Sequence, residues 1–301
     1  MAALSPLRRW CVAVVFLFGL AVQAADTALL GGIGKYMLSD ANLPGIEYDI
    51  SVMKQFAISA GFDAKNIIVL SDEQATLSGF RLTFQTKLLP RITVSDRVLI
   101  YFSGHGTQVP DLNGDETDNS DEALLMHNTR KRYRQGKLEL VNVLIDDEIE
   151  TMLAAIPARE VLVLVDACHS GTVTRVFEGE ELDVDQEYLP KSYVYEGMPE
   201  SMKRIDRTYV SPASGVDNYV ALTAAGDDEL AIATKNGSVF TIALGEVVAD
   251  ASSQGEALTF EGLQSRVTSR VWASVRPDRK FTPRISGNIE RASQIAVVKG
   301  D

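Results

Sequence analysis

Two stretches of the chain share one pattern, an apolar run that ends in small residues and a side chain with chemistry. Val161 to Val165 is continuous and mostly β-branched, and it leads through Asp166 and Ala167 to Cys168 and Gly171. Arg97 to Thr107 carries Val98 to Phe102 into Ser103, Gly104, His105 and Gly106. Short apolar runs without alternation predict strands buried on both faces, as in a parallel sheet. Thr27–Gly34, Asn66–Leu70 and Asn218–Ala224 read as further strands, with Asp96–Ser103 and Glu160–Val165 as the two just described. Between them the period changes to that of helices. Pro44–Gly61 places Ile46, Ile50, Met53, Phe56 and Ala57 on one face and stops at glycine. Ala75–Leu89 ends at Pro90, and Asp146–Ile156 starts with acids in its first turn and Asp146 as expected N-cap. Ser238–Asp250 and Leu258–Ser274 close the series, followed by an edge region from Phe281. Strands alternating with helices predict an α/β domain built on a parallel sheet covered on both faces.

Two polar stretches interrupt this order. Asp111–Glu122 is acidic and reads as a loop, and Thr174–Ser214 reads as an exposed linker. Composition narrows the picture. The 301 residues are 46% hydrophobic and 23% charged, as in a globular chain with a real core. The net charge of −12 excludes a nucleic-acid partner, which needs a basic face, and suits divalent cations or basic peptides. Residues 1–24 read as an export signal: Arg8 and Arg9, an apolar run from Trp10 to Leu20, and small residues before Ala25. The expectation is an exported, periplasmic or secreted protein with no stable membrane insertion after cleavage. Cleavage removes Cys11, so Cys168 becomes the sole cysteine and a structural disulfide is excluded.

A thiol needs a base to become a nucleophile, and histidine is the usual one. If the strands before His105 and Cys168 are neighbours, both side chains leave the sheet at the same edge, where open α/β sheets place their chemistry. The surrounding small residues free backbone N–H groups for an oxyanion, those of Gly106 and Cys168 above all. His127 and His169 are read as structural. In the acidic loop, Asp111, Asn113, Asp115, Thr117, Asn119 and Glu122 fall at calcium-loop spacing, but Glu116 stands where such a loop needs glycine. An EF-hand is therefore not expected.

SGHGTQ followed by DACHSGT resembles the metacaspases and their bacterial relatives in the caspase clan of cysteine peptidases. NGDETDNSDEAL, LIDDEI, VDNYVALTAAGDDELA and NGSVFTIALGE extend the resemblance. It implies a caspase-like α/β sandwich with a mostly parallel central sheet. Residues 25–173 would be the large-subunit-like half, 174–214 a linker and 215–301 the small-subunit-like half. It further implies a His105/Cys168 dyad, cleavage of peptides or proteins after arginine or lysine, and activation by calcium. The calcium ligands would be Asp121, Asp146 and Asp147; Arg175 stands where a further acid is usual, with Glu178 the nearest substitute. Asp166 and Asp49 are the expected specificity acids, with Ser103 beside them, although Ile46 replaces the cysteine usual near Asp49. Self-cleavage would fall in the linker, at Lys191, Lys203, Arg204 or Arg207. A monomer is expected. A legumain- or clostripain-like peptidase of other specificity, or a non-catalytic calcium-dependent binding module of the same fold, remain open alternatives.

Overall fold

The computed structural model describes residues 26–111, 113–114, 119–134, 136–158, 160–168, 188–196, 198, 218–226, 229–276 and 280–300. The expected signal segment, His169, Arg175, Glu178, Lys203, Arg204 and Arg207 lie outside them. The first half runs β1 (Thr27–Gly32), α1 (Ile46–Ser59), β2 (Ile67–Ser71), α2 (Leu77–Thr83) and β3 (Arg97–Ser103). A meander of β4 (Gly106–Pro110), β5 (Ser120–Arg134) and β6 (Lys137–Ile145) follows, then α3 (Asp146–Ala154) and β7 (Glu160–Asp166). Next come β8 (Leu189–Pro190), β9 (Tyr219–Thr223), β10 (Ile232–Thr234), β11 (Gly237–Ser238) and α4 (Val239–Ser253). The chain ends with β12 (Leu258–Thr259), α5 (Phe260–Ser274), β13 (Arg284–Gly287) and β14 (Ala296–Val298).

Six strands form the central sheet in the order β13-β9-β7-β3-β1-β2. All pair in parallel except β13, which runs antiparallel on β9. This is the mostly parallel α/β sheet that the continuous apolar runs predict. Alternate residues feed two separate cores. Leu99, Tyr101, Leu162 and Leu164 pack with the buried faces of α1, α4 and α5. Val98, Phe102, Val163 and Val165 pack with Phe80, Phe84, Leu124, Leu144 and Leu153 on the other side. Among the described residues no helix is long and apolar enough to cross a membrane.

The five residues expected on the inner face of α1 are all buried. The helix opens at Gly45, in the left-handed region at φ 76°. A Cβ there would stand 2.1 Å from the carbonyl oxygen of Thr234, so only glycine lets this end of α1 meet the turn between β10 and β11. That contact fixes Asp49, in the first turn of α1.

Four expectations are corrected. The acidic loop ends early: Ser120 to Glu122 already belong to β5, and Asp121 and Glu122 are buried. Asp146 is not an N-cap but the first residue of α3, with Ile145 at the cap and no side-chain bond to it. The stretch read as an exposed linker is not exposed throughout, because Lys191, Tyr193, Tyr195 and Met198 are buried. The helix expected over Ala75–Leu89 is shorter, giving way after Thr83 to a wider turn at Phe84–Leu88.

Candidate active site

β3 and β7 are neighbours in register, with Ser103 opposite Asp166, so the residues after each strand leave the same edge. The Gly104 N–H donates to the Asp166 carbonyl at 3.2 Å and ties the two loops together. A side chain at position 104 would meet the Tyr36 hydroxyl at 2.6 Å, and that hydroxyl accepts the His105 N–H at 2.9 Å. The His105 ring lies between Tyr36 and Tyr193, with centroids at 5.6 and 5.9 Å. Its Nδ1 is buried with no hydrogen-bond partner among the described residues. Cys168 is 4% exposed, and the Ala231 N–H donates to its Sγ at 2.6 Å.

Lys191 occupies the space between these loops. Its carbonyl oxygen accepts the Gly106 N–H at 3.0 Å and the Cys168 N–H at 3.1 Å, the two donors expected to form an oxyanion site. Its own N–H donates to the Ala231 carbonyl at 3.0 Å, and β8, just before it, pairs antiparallel with β10. The side chain is 0% exposed. Nζ donates to Ser103 Oγ at 2.6 Å and to Ser238 Oγ at 2.8 Å. It also lies 3.0 Å from Asp166 Oδ1 and 3.6 Å from Asp49 Oδ2.

The two acids differ in their surroundings. Asp49 accepts three hydrogen bonds, from the Ser103 hydroxyl and from the Ser238 N–H and hydroxyl, each at 2.6 Å. Asp166 Oδ2 accepts the Thr241 hydroxyl at 2.6 Å, and Tyr101 continues that chain. Asp166 Oδ1 receives no directed hydrogen bond, only the ion-pair contact with Lys191. Burial pushes the Asp166 carboxyl above the usual carboxylate range; the Lys191 ammonium opposes this and the Asp49 charge adds to it.

Burial also sets the state of the other pair. It drives the Cys168 thiol up to about 12. It holds His105 down at about 3, helped by the nearby Lys191 ammonium. Both groups are therefore neutral at pH 7. For His105 the native protein binds fewer protons than the unfolded chain at any pH between about 3 and the ordinary 6.5. Its contribution to stability is thus present above pH 6.5 and lost as pH falls through that window. Cys168 gives the opposite limb, present below pH 9 and lost as pH rises towards 12. Melting temperatures from pH 3 to 7 should show a steeper acid limb in wild type than in His105→Gln; equal limbs would contradict this account.

The expected metal residues also cluster. Asp121 and Glu122 on β5 face the start of α3, and burial, Glu122, Asp121 and then Asp147 push the Asp146 carboxyl up to about 8. Gln108 Nε2 donates to Glu122 Oε1 at 3.2 Å and Asn113 Nδ2 to Asp147 Oδ2 at 2.6 Å. The donors are hard oxygens of the kind calcium takes. No three of them converge on a metal centre among the described residues. His127 stands apart, its Nδ1 bonded to the Lys35 carbonyl at 2.7 Å.

Sequence reasoning missed Ser238, Thr241, Tyr36 and the burial of Lys191, and named Glu122 only for its calcium-loop spacing. Ser238 had a signal, since it precedes a helix. The structure turns its hydroxyl to Asp49 instead of capping α4.

Comparison with known proteins identifies the family and the fold. The family model described as Caspase domain (Peptidase_C14) matches residues 25–293. Metacaspase-1 of Eremothecium gossypii is 28% identical over 229 residues, covering 71% of this chain and 46% of that protein. Metacaspase-3 of Arabidopsis thaliana is 32% identical over 156 residues, covering 48% and 40%. The chain thus spans less than half the length of these two relatives. A Geobacter sulfurreducens protein of known structure superposes with TM-score 0.61 at 22% identity, covering 87% of this chain and 93% of that one. Caspase-1 from Spodoptera frugiperda superposes with TM-score 0.51 at 13% identity, covering 92% and 91%. These two likenesses are of fold. The chain belongs to the caspase-domain family, as a metacaspase-like member.

Proposed function

We propose that this chain is an exported, monomeric cysteine endopeptidase that cuts after lysine or arginine, and that Lys191–Ser192 is its own first substrate bond. One observation carries the reading. The Lys191 carbonyl lies between two backbone N–H groups beside the only cysteine of the exported chain, while its ammonium sits among Asp49, Asp166, Ser103 and Ser238. That is how a substrate residue before a scissile bond would be held. A legumain-like site for asparagine has no use for two buried acids. A non-catalytic module has no use for a carbonyl held beside a thiol.

In this mechanism Cys168 Sγ attacks the Lys191 carbonyl carbon. The thiol proton passes to His105, and the Gly106 and Cys168 N–H groups hold the resulting oxyanion, each donor worth about 3 kcal/mol in such sites. His105 then gives its proton to the Ser192 nitrogen as the peptide bond breaks. Water hydrolyses the thioester and regenerates the thiol. With the site buried, the thiol at about 12 and the imidazole at about 3 make the first proton transfer uphill. Opening of the segment around Lys191 lets in water and brings the two values together, so the closed chain is slow and the cut enzyme fast.

Calcium belongs to the same proposal: Asp121, Asp146 and Asp147, with Glu122, would draw together around it, since no three of them converge among the described residues. It would relieve the mutual repulsion of these acids and order the edge that carries Gly106. The test is timed incubation of purified wild type with calcium or with chelator, read by intact mass and terminal sequencing. A new amino terminus at Ser192, absent in Cys168→Ala and faster with calcium, is expected. An intact Lys191–Ser192 bond in both conditions would overturn the self-processing reading, and equal rates would overturn the calcium part.

A further inference from the structure

We infer that the far side of the scissile bond is a recognition site for tyrosine at the second residue after the cut, so that the preferred substrate carries Lys or Arg, then any residue, then Tyr. The inference rests on reading Lys191–Ser192 as a substrate bond. Beyond that bond the chain does not turn away into solvent. Ser192 forms an isolated parallel bridge to Gly106, at the start of β4. The Tyr193 N–H donates to the Gly106 carbonyl at 2.8 Å, and the Tyr193 carbonyl accepts the Thr107 hydroxyl at 2.7 Å. These contacts fix the backbone of any substrate in this register without regard to sequence.

The side chain is what the site selects. The Tyr193 ring is buried, with one side towards His105 at 5.9 Å and the Lys131 ammonium 5.6 Å from its centre. Its hydroxyl donates to Asp40 Oδ2 at 3.0 Å. The same oxygen accepts Lys131 Nζ at 2.8 Å, so the cation over the ring also holds the acceptor in place. The Lys131 hydrogen bond keeps Asp40 below the usual carboxylate range, and burial keeps the Tyr193 phenol above its own, so acceptor and donor are both in the required state at neutral pH. An aromatic ring gains burial and a cation contact here, and tyrosine adds a charge-assisted hydrogen bond that phenylalanine cannot make. Asp40 and Lys131 come from parts of the chain far from His105 and Cys168, which is why the dyad alone does not announce this subsite.

The test uses wild type already cut after Lys191 and internally quenched peptides Leu-Pro-Lys-Ser-X-Val, with X as Tyr, Phe or Ala. The Tyr peptide should exceed the Ala peptide by roughly tenfold or more in kcat/KM, mainly through KM, with Phe between them. Asp40→Ala should bring the ratio of the Tyr to the Phe peptide to about one. In the uncut chain, Tyr193→Ala should slow the appearance of the Ser192 terminus, and Tyr193→Phe should slow it less. Equal kcat/KM for all three peptides, with Lys still required, overturns the subsite and leaves the basic specificity standing. A control peptide with Asp in place of Lys separates the two ideas: if it is cut as well as the Lys peptide, or if no Lys peptide is cut, the underlying reading fails first.

Discussion

Cys168→Ala is expected to keep the Lys191–Ser192 bond intact on prolonged incubation and to hydrolyse basic peptides at least about 10³-fold more slowly than wild type. His105→Ala should do the same, and the double variant should be no slower than either single one. That non-additivity is the signature of two groups serving one step, since losing either removes the whole nucleophilic route. The fold should survive. Both residues lie beyond the ends of their strands, and the parallel pairing of β3 with β7 does not involve their side chains. Cys168 to alanine removes one sulfur from a cluster of more than thirty buried residues, a loss of about 1 kcal/mol. Far-UV spectra and melting temperatures close to wild type, combined with lost turnover, are the expected pair of results. Substantial activity in Cys168→Ala would sink the mechanism.

The second large effect divides the two acids around Lys191. Asp166→Asn should lower kcat/KM for arginyl peptides by about 10²-fold or more while leaving the uncut chain near its wild-type stability. Asp49→Asn should lower both. The difference follows from the hydrogen bonds. Asp49 is the sole acceptor for two hydroxyls and one backbone N–H that join α1, β3 and the start of α4. An amide cannot accept all three on equal terms, and the buried donors left over cost about 1–3 kcal/mol each. Asp166 keeps one oxygen for Thr241 and leaves the other with only the charge of Lys191. With Asp166→Asn the pocket still pairs one carboxylate with one ammonium, so the folded chain loses little. A guanidinium has five donors in a planar fork and would bond the open Asp166 oxygen that a lysine leaves without a directed bond. Arginyl peptides should therefore exceed lysyl peptides in wild type and suffer more in the variant. The measurement compares fluorogenic peptides ending in Arg, Lys, Asn and Asp. Preference for the Asn or Asp peptide refutes the reading.

Much of the frame was legible because it rests on local pattern. The apolar runs before His105 and Cys168, the inner face of α1 and the strand Asn218–Ala224 all read as they fold, within a residue or two at their ends. The meander β4–β6 was not legible. Its longest strand begins inside an acidic segment and ends in Arg130 to Arg134, so neither end shows a strand's alternation. Lys191 was named only as one basic residue of a polar stretch. Lysine there reads as solvated, and nothing local reveals that acids 25 and 142 positions away enclose it. The same limit hid Ser238 and Tyr36, whose hydroxyls act through partners distant in the chain. Acidic residues misled at Asp146, where a helix start suggested capping and the carboxylate instead faces Asp121 and Glu122.

The strand order carries one more consequence. Lys191 lies in the chain between β7 and β9, yet these two strands pair side by side in the interior of the sheet, Val161 to Val165 against Tyr219 to Thr223. The face they share is sealed by α1 from before the cut and α4 from after it, packed on each other. The proposed scission after Lys191 would leave two polypeptides held together without a covalent link, each with part of the pocket: Asp49, Ser103 and Asp166 on one, Ser238 and Thr241 on the other. Folding of the intact chain is unimolecular. Regain of structure after denaturing the nicked protein is second order, with a half-time that lengthens on dilution and a stability that depends on concentration as in any obligate heterodimer. On the proposed self-cleavage, such a peptidase would be made once as a single chain and, once cut, could not readily be remade at low concentration.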